Sequence, residues 1–228
     1  MPMAPHGVTS RSLRTQHASL SDSVASALRR MIISRELQPG QRVTQAQLAA
    51  MLDVSTMPIR EALLRLVAEG LVVAEANRSF SVTNTTADSI RDIYWMHAVL
   101  AAELTGRGWD NRTPQLLTTL AEQHETYAKS LGRGTQEDLF EANWRFHSSV
   151  HRAAAAPALG LMLKNTLHFF PDFTLPVPGW TELASRWQAG LLEQFTHGTR
   201  EGAEQVARSS VITASQLFID SYWIDPAS

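Results

Sequence analysis

The sequence predicts a mainly α protein in two parts: a small helical head ending in a β-hairpin, then an all-helical antiparallel bundle of about six helices. Three observations predict it. Residues 52–65, Leu-Asp-Val-Ser-Thr-Met-Pro-Ile-Arg-Glu-Ala-Leu-Leu-Arg, read as a tight turn followed by an abrupt helix start. Two short strand-like runs follow, at 71–75 and 79–83. From Thr85 onward, apolar residues recur at helical spacing, punctuated by threonines, prolines and glycines.

Residues 1–21 contain Arg and Ser but no apolar stretch like that of a signal peptide, so a disordered arm is expected there. Val24, Leu28, Met31 and Ile32 then recur at helical spacing from Asp22 to about Arg35. Leu37-Gln-Pro-Gly-Gln-Arg-Val43 is a turn, with Pro39-Gly40 as the breaker. Thr44 is placed to cap a second helix, with Gln47 three residues later as its capping-box partner. Leu48, Ala49 and Leu52 supply the buried face of that helix.

Ser55 stands where an N-cap belongs, and Pro58 falls in the first turn of the third helix, where its missing N–H is harmless. Ile59, Leu63 and Leu66 keep one face apolar, while Arg60 and Arg65 lie off it. Gly70 ends this helix. The two strands pair around Ala76-Asn77-Arg78 as a wing, which makes residues 22–83 a winged helix-turn-helix. A helix that presents Ser, Thr and Arg at its N-terminal end, braced by a preceding helix, suits the DNA major groove.

These residues carry a resemblance to a known family. Leu37-x-Pro-Gly, Leu48-Ala49, Val54-Ser-x-x-Pro-Ile-Arg-Glu-Ala-Leu63 and Leu66-x-x-Glu-Gly-Leu-Val72 resemble, in order, the head of GntR-type bacterial transcription regulators. The resemblance implies a homodimer that binds a two-fold double-stranded DNA operator. Ser55, Thr56, Met57 and Arg60 are then expected at bases or phosphates. Arg42 and Gln45 are expected to support them from the preceding helix, and Asn77 and Arg78 to reach the minor groove or backbone from the wing. Thr56 stands where the family usually has Arg, a bidentate reader of guanine, so the operator is expected to differ from the common half-site. Met57 replaces a common Thr, and Ser79 follows Arg78 where a Gly is usual.

The second part, residues 84–228, reads as six helices. Thr86 or Asp88 caps the first, which runs to about Arg107 with Ile90, Tyr94, His97, Ala101 and Leu104 among its apolar-spaced positions. The second follows Thr113-Pro114 and is broken at Gly132-Arg-Gly134. The third begins near Thr135, and the fourth at Pro157. A proline-containing loop, 171–179, leads to the last two, about 180–197 and 199–222, separated at Gly198. All six Trp lie in this part, which suits a large core or a pocket.

A bundle of this order behind such a head resembles the FCD effector domain of the FadR-like branch of that family. Asn143-Trp-Arg-Phe-His147 matches the position of an Asp-x-x-x-His metal motif, with Asn in place of Asp. The resemblance places the remaining ligand positions at Gln188 and Ser210. Neutral Asn, Gln and Ser make a poor divalent site, so either no tight metal or a weak divalent metal is expected, with Asn143 and His147 the residual candidates. Two readings stay open. Either Asn143, His147, Gln188 and Ser210 line a polar pocket that takes a small effector such as an organic acid directly, or His147 is a core histidine and the bundle only dimerises. Arg107 and Arg145 are candidate charges for a carboxylate or solvated surface residues, and His151 and His168 are structural or functional alike. The family's Arg-x-x-x-Glu pattern is replaced by His97 and Ala101. The resemblance leans towards a repressor.

Composition agrees with a DNA reader. The 228 residues carry a net charge of −2, unevenly spread: nine Arg against six acidic residues give +3 over 1–83, and eleven basic against sixteen acidic give −5 beyond. No run of 18 apolar residues exists, so no membrane span is expected. The chain has no cysteine, which excludes thiol catalysis and disulfides and suits the cytoplasm. No nucleophile elbow, triad, phosphate loop or His-Glu-x-x-His stands in the sequence, so an enzyme is not expected.

Overall fold

The computed structural model describes residues 10–75, 79–170 and 175–223, with side chains from Leu20 onward. It divides into two compact units, residues 1–84 and 85–228.

In the first unit, α1 (Ser10–Ile33) is followed by β1 (Arg42–Thr44), α2 (Gln45–Leu52), α3 (Thr56–Ala68), β2 (Val72–Ala74) and β3 (Ser79–Val82). Helix α1 begins twelve residues before Asp22, so residues 10–21 are helical where an arm was expected. The three strands form one antiparallel sheet in the order β1-β3-β2, with Val43 opposite Phe80 and Ala74 also opposite Phe80. The hairpin is thus present, and β1 adds a strand on its outer edge that the sequence reading took as part of a turn.

Local chemistry sets these boundaries. Thr44 and Gln47 form the reciprocal capping box at the start of α2: Gln47 N–H donates to Thr44 Oγ1, and Thr44 N–H donates to Gln47 Oε1 at 2.9 Å. Asp53 closes α2 in the left-handed region at φ 51°, which a short polar side chain tolerates. That single residue turns the chain sharply enough for α3 to start three residues later. Ile59, Ala62, Leu63 and Leu66 are fully buried on one face of α3, against a unit core that includes Leu28 and Met31 of α1. Two ion pairs tie α1 to α3: Arg29 makes a fork onto Glu69 with its closest contact at 2.7 Å, and Arg65 meets Asp22 while donating to Ser21 Oγ at 3.2 Å.

Among the described residues of the second unit, six helices follow in the order expected: α4 (Ala87–Asp110), α5 (Pro114–Ser130), α6 (Gln136–Ala153), α7 (Pro157–Thr166), α8 (Trp180–His197) and α9 (Arg200–Tyr222). A single 3-10 turn, Leu167–Phe169, extends α7. Four of the helices begin at a threonine whose hydroxyl accepts a backbone N–H: Thr86, Thr113, Thr135 and Thr199. Thr86, rather than Asp88, is the cap of α4, and that helix runs three residues past Arg107.

Helix α4 packs along α9 and also meets α6 and α7, while α5 packs on α6 and α8. The main core joins Leu120, Phe146, Val150, Leu191, Phe195 and Ala203, from α5, α6, α8 and α9. Backbones come close at Gly108 of α4, where an added Cβ would stand 2.6 Å from the Val150 carbonyl oxygen of α6. Among the described residues no helix is long and apolar enough to cross a membrane.

Candidate DNA interface and ligand cavity

The front of α3 is built to be seen from outside. Ser55 takes the extended N-cap position expected of it and is exposed, but its hydroxyl makes no capping hydrogen bond. The first N–H groups of α3 therefore point out uncapped by a side chain, the arrangement that suits a phosphate oxygen. Thr56 and Met57 open the helix and are exposed, Met57 at 63%. Arg60 lies one turn on, exposed, with no ion pair or side-chain hydrogen bond among the described residues.

The remaining arginines of this helix pair contrast with it. Arg65 is held by Asp22 and Ser21, so it braces α1 rather than projecting. Arg42 lies on β1, not on the helix before α3, and its guanidinium reaches Glu75 at the end of β2 at 2.5 Å. Ser81 also donates to Glu75, and these contacts hold that carboxyl below its usual range. Gln45 is the first residue of α2 and is half-buried. Asn77 and Arg78, expected at the wing tip, lie outside the described residues.

The helical unit contains a cavity of about 630 Å³, within the range of small-molecule sites. Side chains from α4, α6, α7, α8 and α9 line it. Of the four pocket residues expected from sequence, Asn143, His147 and Ser210 do line it. Gln188 does not: it is fully buried behind the wall, where its amide N–H donates to Asn143 Oδ1 at 2.9 Å. Gln188 is thus a positioning residue that fixes which edge Asn143 turns to the cavity. The Ser210 hydroxyl donates to the Ala207 carbonyl of its own helix at 2.7 Å, which leaves its oxygen free only to accept.

Two further histidines join His147 around this space, His97 from α4 and His151 one turn beyond His147 on α6. Burial drives all three imidazoles towards the neutral form: His147 is lowered to about 4, and His97 and His151 to about 3. The His147 ring adds a smaller repulsion to both neighbours. The His97 tautomer follows from its partner. Thr166 Oγ1 donates to the Leu163 carbonyl at 2.6 Å, so it accepts from His97 Nδ1–H at 2.6 Å. Nε2 of His97 is then a bare acceptor.

The donor set does not fit a divalent metal. Among the described residues no three His, Cys, Asp or Glu side chains, the three cavity histidines included, are placed so that they could hold one metal ion. Asn143 Oδ1, the oxygen that takes the place of a carboxylate, is occupied by Gln188. Arg107 and Arg145 are likewise outside the cavity, engaged at 2.7 Å with Glu103 and at 2.6 Å with Glu141 on their own helices. His168 is not among the lining residues.

A helix-turn-helix head with a three-stranded sheet, ahead of a helical unit that holds a cavity, is the architecture of a transcription regulator. The chain belongs to the GntR family of bacterial regulatory proteins: that family's profile matches residues 20–82, and the FCD domain profile matches residues 92–211. It is 33% identical to the HTH-type transcriptional regulator YdhC of Bacillus subtilis, over 78% of this chain and 81% of that one. It is 27% identical to the regulator McbR of Escherichia coli, over 66% of this chain and 68% of that protein. Among solved structures, E. coli McbR/YncC superposes with a TM-score of 0.63 at 22% identity, covering 89% of this chain and 98% of the other. A GntR regulator from Rhodococcus sp. RHA1 gives a TM-score of 0.55 at 22% identity, covering 90% and 99%. The order of head and FCD domain is consistent with the FadR-like branch. The protein is a DNA-binding transcription regulator and not an enzyme.

Proposed function

We propose that this protein acts in the cytoplasm as a homodimeric, ligand-responsive repressor. Two copies of α3 enter successive major grooves of a two-fold operator, with Ser55, Thr56, Met57 and Arg60 at bases and phosphates. Arg60 carries this reading: it is an exposed, unpaired cation one turn into a helix whose opposite face is buried. Gln45, Asn77 and Arg78 are assigned supporting contacts. Arg42 is assigned a different part, holding the base of the wing through Glu75.

The helical unit senses a small organic acid in the cavity, at Asn143, His147 and Ser210 with Gln188 behind them. The size of the cavity favours a sensing domain over one that only dimerises. Ligand shifts operator affinity only by its own preference between the two dimer states, so a hundredfold release from DNA requires about 2.7 kcal/mol of differential binding.

The test is fluorescence anisotropy on DNA from the protein's own upstream region. Arg60→Ala is expected to weaken specific binding at least tenfold with an unchanged circular dichroism spectrum and melting temperature. Full retention of affinity would remove the docking arrangement, and a footprint without two-fold symmetry would remove the dimer on DNA.

A further inference from the structure

We propose that the ligand is an arene carboxylate held without a metal, its ring inside the cavity and its carboxylate at the mouth against Arg152 and Lys164. This rests on the ligand-sensing reading above and adds the chemical class and the orientation.

Three observations carry it. The first is the wall. Trp144, Phe170, Trp180 and Trp187 all line the cavity, and Trp180 and Trp187 meet edge to face at 5.9 Å. Phe170 is itself stacked on Tyr94 at 3.9 Å and packed against His97 at 4.5 Å, so that part of the wall is held in place. Aromatic walls of this kind gain most from a planar ring.

The second is the distribution of charge. Among the described residues no Asp or Glu lines the cavity, and the charged lining residues are Arg152 and Lys164. Both are exposed, and neither has an ion pair or side-chain hydrogen bond among the described residues. An amine ligand would meet no counter-charge here, whereas an acid meets two.

The third fixes the orientation. The inner polar groups are neutral. His97 is 7% exposed, and its free Nε2 lone pair repels an anion but accepts from a hydroxyl or N–H. A carboxylate placed at that depth would be desolvated with no cation to meet it, which is costly. The same carboxylate at the mouth stays solvated and beside both cations. A ring hydroxyl, where present, is then directed inward to His97.

The experiment follows intrinsic tryptophan fluorescence and melting temperature of the full-length protein in excess chelator. The probes are 3-phenylpropionate, its neutral isostere 3-phenylpropanamide, and citrate, the last repeated with added Zn²⁺ or Mn²⁺. The acid is expected to bind saturably in chelator, and the amide roughly tenfold more weakly. Arg152→Ala and Lys164→Ala are each expected to weaken the acid by up to about fivefold, the range of exposed ion pairs, while operator binding without ligand stays unchanged. Equal binding of acid and amide overturns the mouth-facing carboxylate. Citrate binding that needs metal overturns the metal-free arene acid but leaves ligand sensing intact. No saturable binding by any probe, with or without metal, removes both.

Discussion

At the residue scale, the three cavity histidines make a pH-dependent prediction. Each imidazole is harder to protonate in the folded protein than in the unfolded chain, from an ordinary value of 6.5 to about 3 or 4. The unfolded state therefore takes up protons first as pH falls. Stability is full above about pH 6.5 and is lost as pH drops towards 4. Each histidine contributes at most about 1.4 kcal/mol per pH unit in that window. His147 and His151 are only partly covered because they face the cavity, and water there moderates the effect, so a combined loss of about 1–4 kcal/mol per unit is expected. Urea unfolding at pH 7, 6 and 5 measures it, and His151→Gln should flatten the slope. A midpoint that does not move between pH 7 and 5 would show that these rings are protonated as easily folded as unfolded.

Single residues also show how far a sequence speaks for itself. Thr44 and Gln47 were legible as a capping box because the interaction spans three residues and needs nothing else. Ser55 was legible as the N-cap position but not in what its hydroxyl does. Gln188 was assigned to the pocket by its place on α8, yet a small rotation about that helix decides between cavity and wall. His151 stands one turn from His147 on α6, a spacing legible in the sequence, whereas only the packing of α4 against α6 put His97 beside them.

At the element scale, two glycines of α4 separate backbone from side-chain crowding. In an exposed helix, Gly→Ala stabilises by about 1 kcal/mol. At Gly106 a new methyl meets the tip of the Glu204 side chain, which can swing away, so Gly106→Ala should be neutral or mildly stabilising. At Gly108 it meets the Val150 carbonyl of α6, which cannot move alone. Gly108→Ala should therefore destabilise by about 1–2 kcal/mol despite its better helix propensity. Thermal denaturation of the two variants side by side checks this, and a stabilised Gly108→Ala would mean α4 and α6 are not in that close contact. Thr135 offers a simpler case. Its hydroxyl accepts the Asp138 N–H at 3.1 Å, and Asp138 returns the bond to the Thr135 N–H at 2.8 Å. Thr135→Ala is expected to cost about 1 kcal/mol in the same assay, and Thr135→Ser nearly nothing.

Helix starts were well marked in the sequence because threonine caps and Pro114 and Pro157 act within one turn. The start of α1 was not, since it lacks such a signal and the helix extends back to Ser10. Strand β1 was missed for a different reason. Three residues cannot show alternation, and what makes Arg42–Thr44 a strand is pairing with Ser79–Ser81, far along the chain.

At the scale of the whole molecule, two units with separate cores should respond to different ligands. On the proposed reading, operator DNA binds the first unit and 3-phenylpropionate the second. At one hundred times its Kd a ligand adds about 2.7 kcal/mol to the unit it binds. Calorimetry of the full chain should then show the acid raising one transition and DNA the other. A single transition, moved equally by both, would mean that the units unfold together.

The division of charge, the ordered motifs of residues 37–72 and the helix caps determined the two-part fold and the family, and marked the face proposed to read DNA. These are local or compositional properties, and each survives without knowledge of the neighbours. What only the tertiary structure decided is the interior of the helical unit. Its cavity draws walls from five helices distant in sequence, burial among those walls pushes its histidines towards the neutral form, and Arg60 differs from Arg65 because α1 supplies Asp22 to one and nothing to the other. Such properties belong to the space between elements, which no single stretch of sequence encodes.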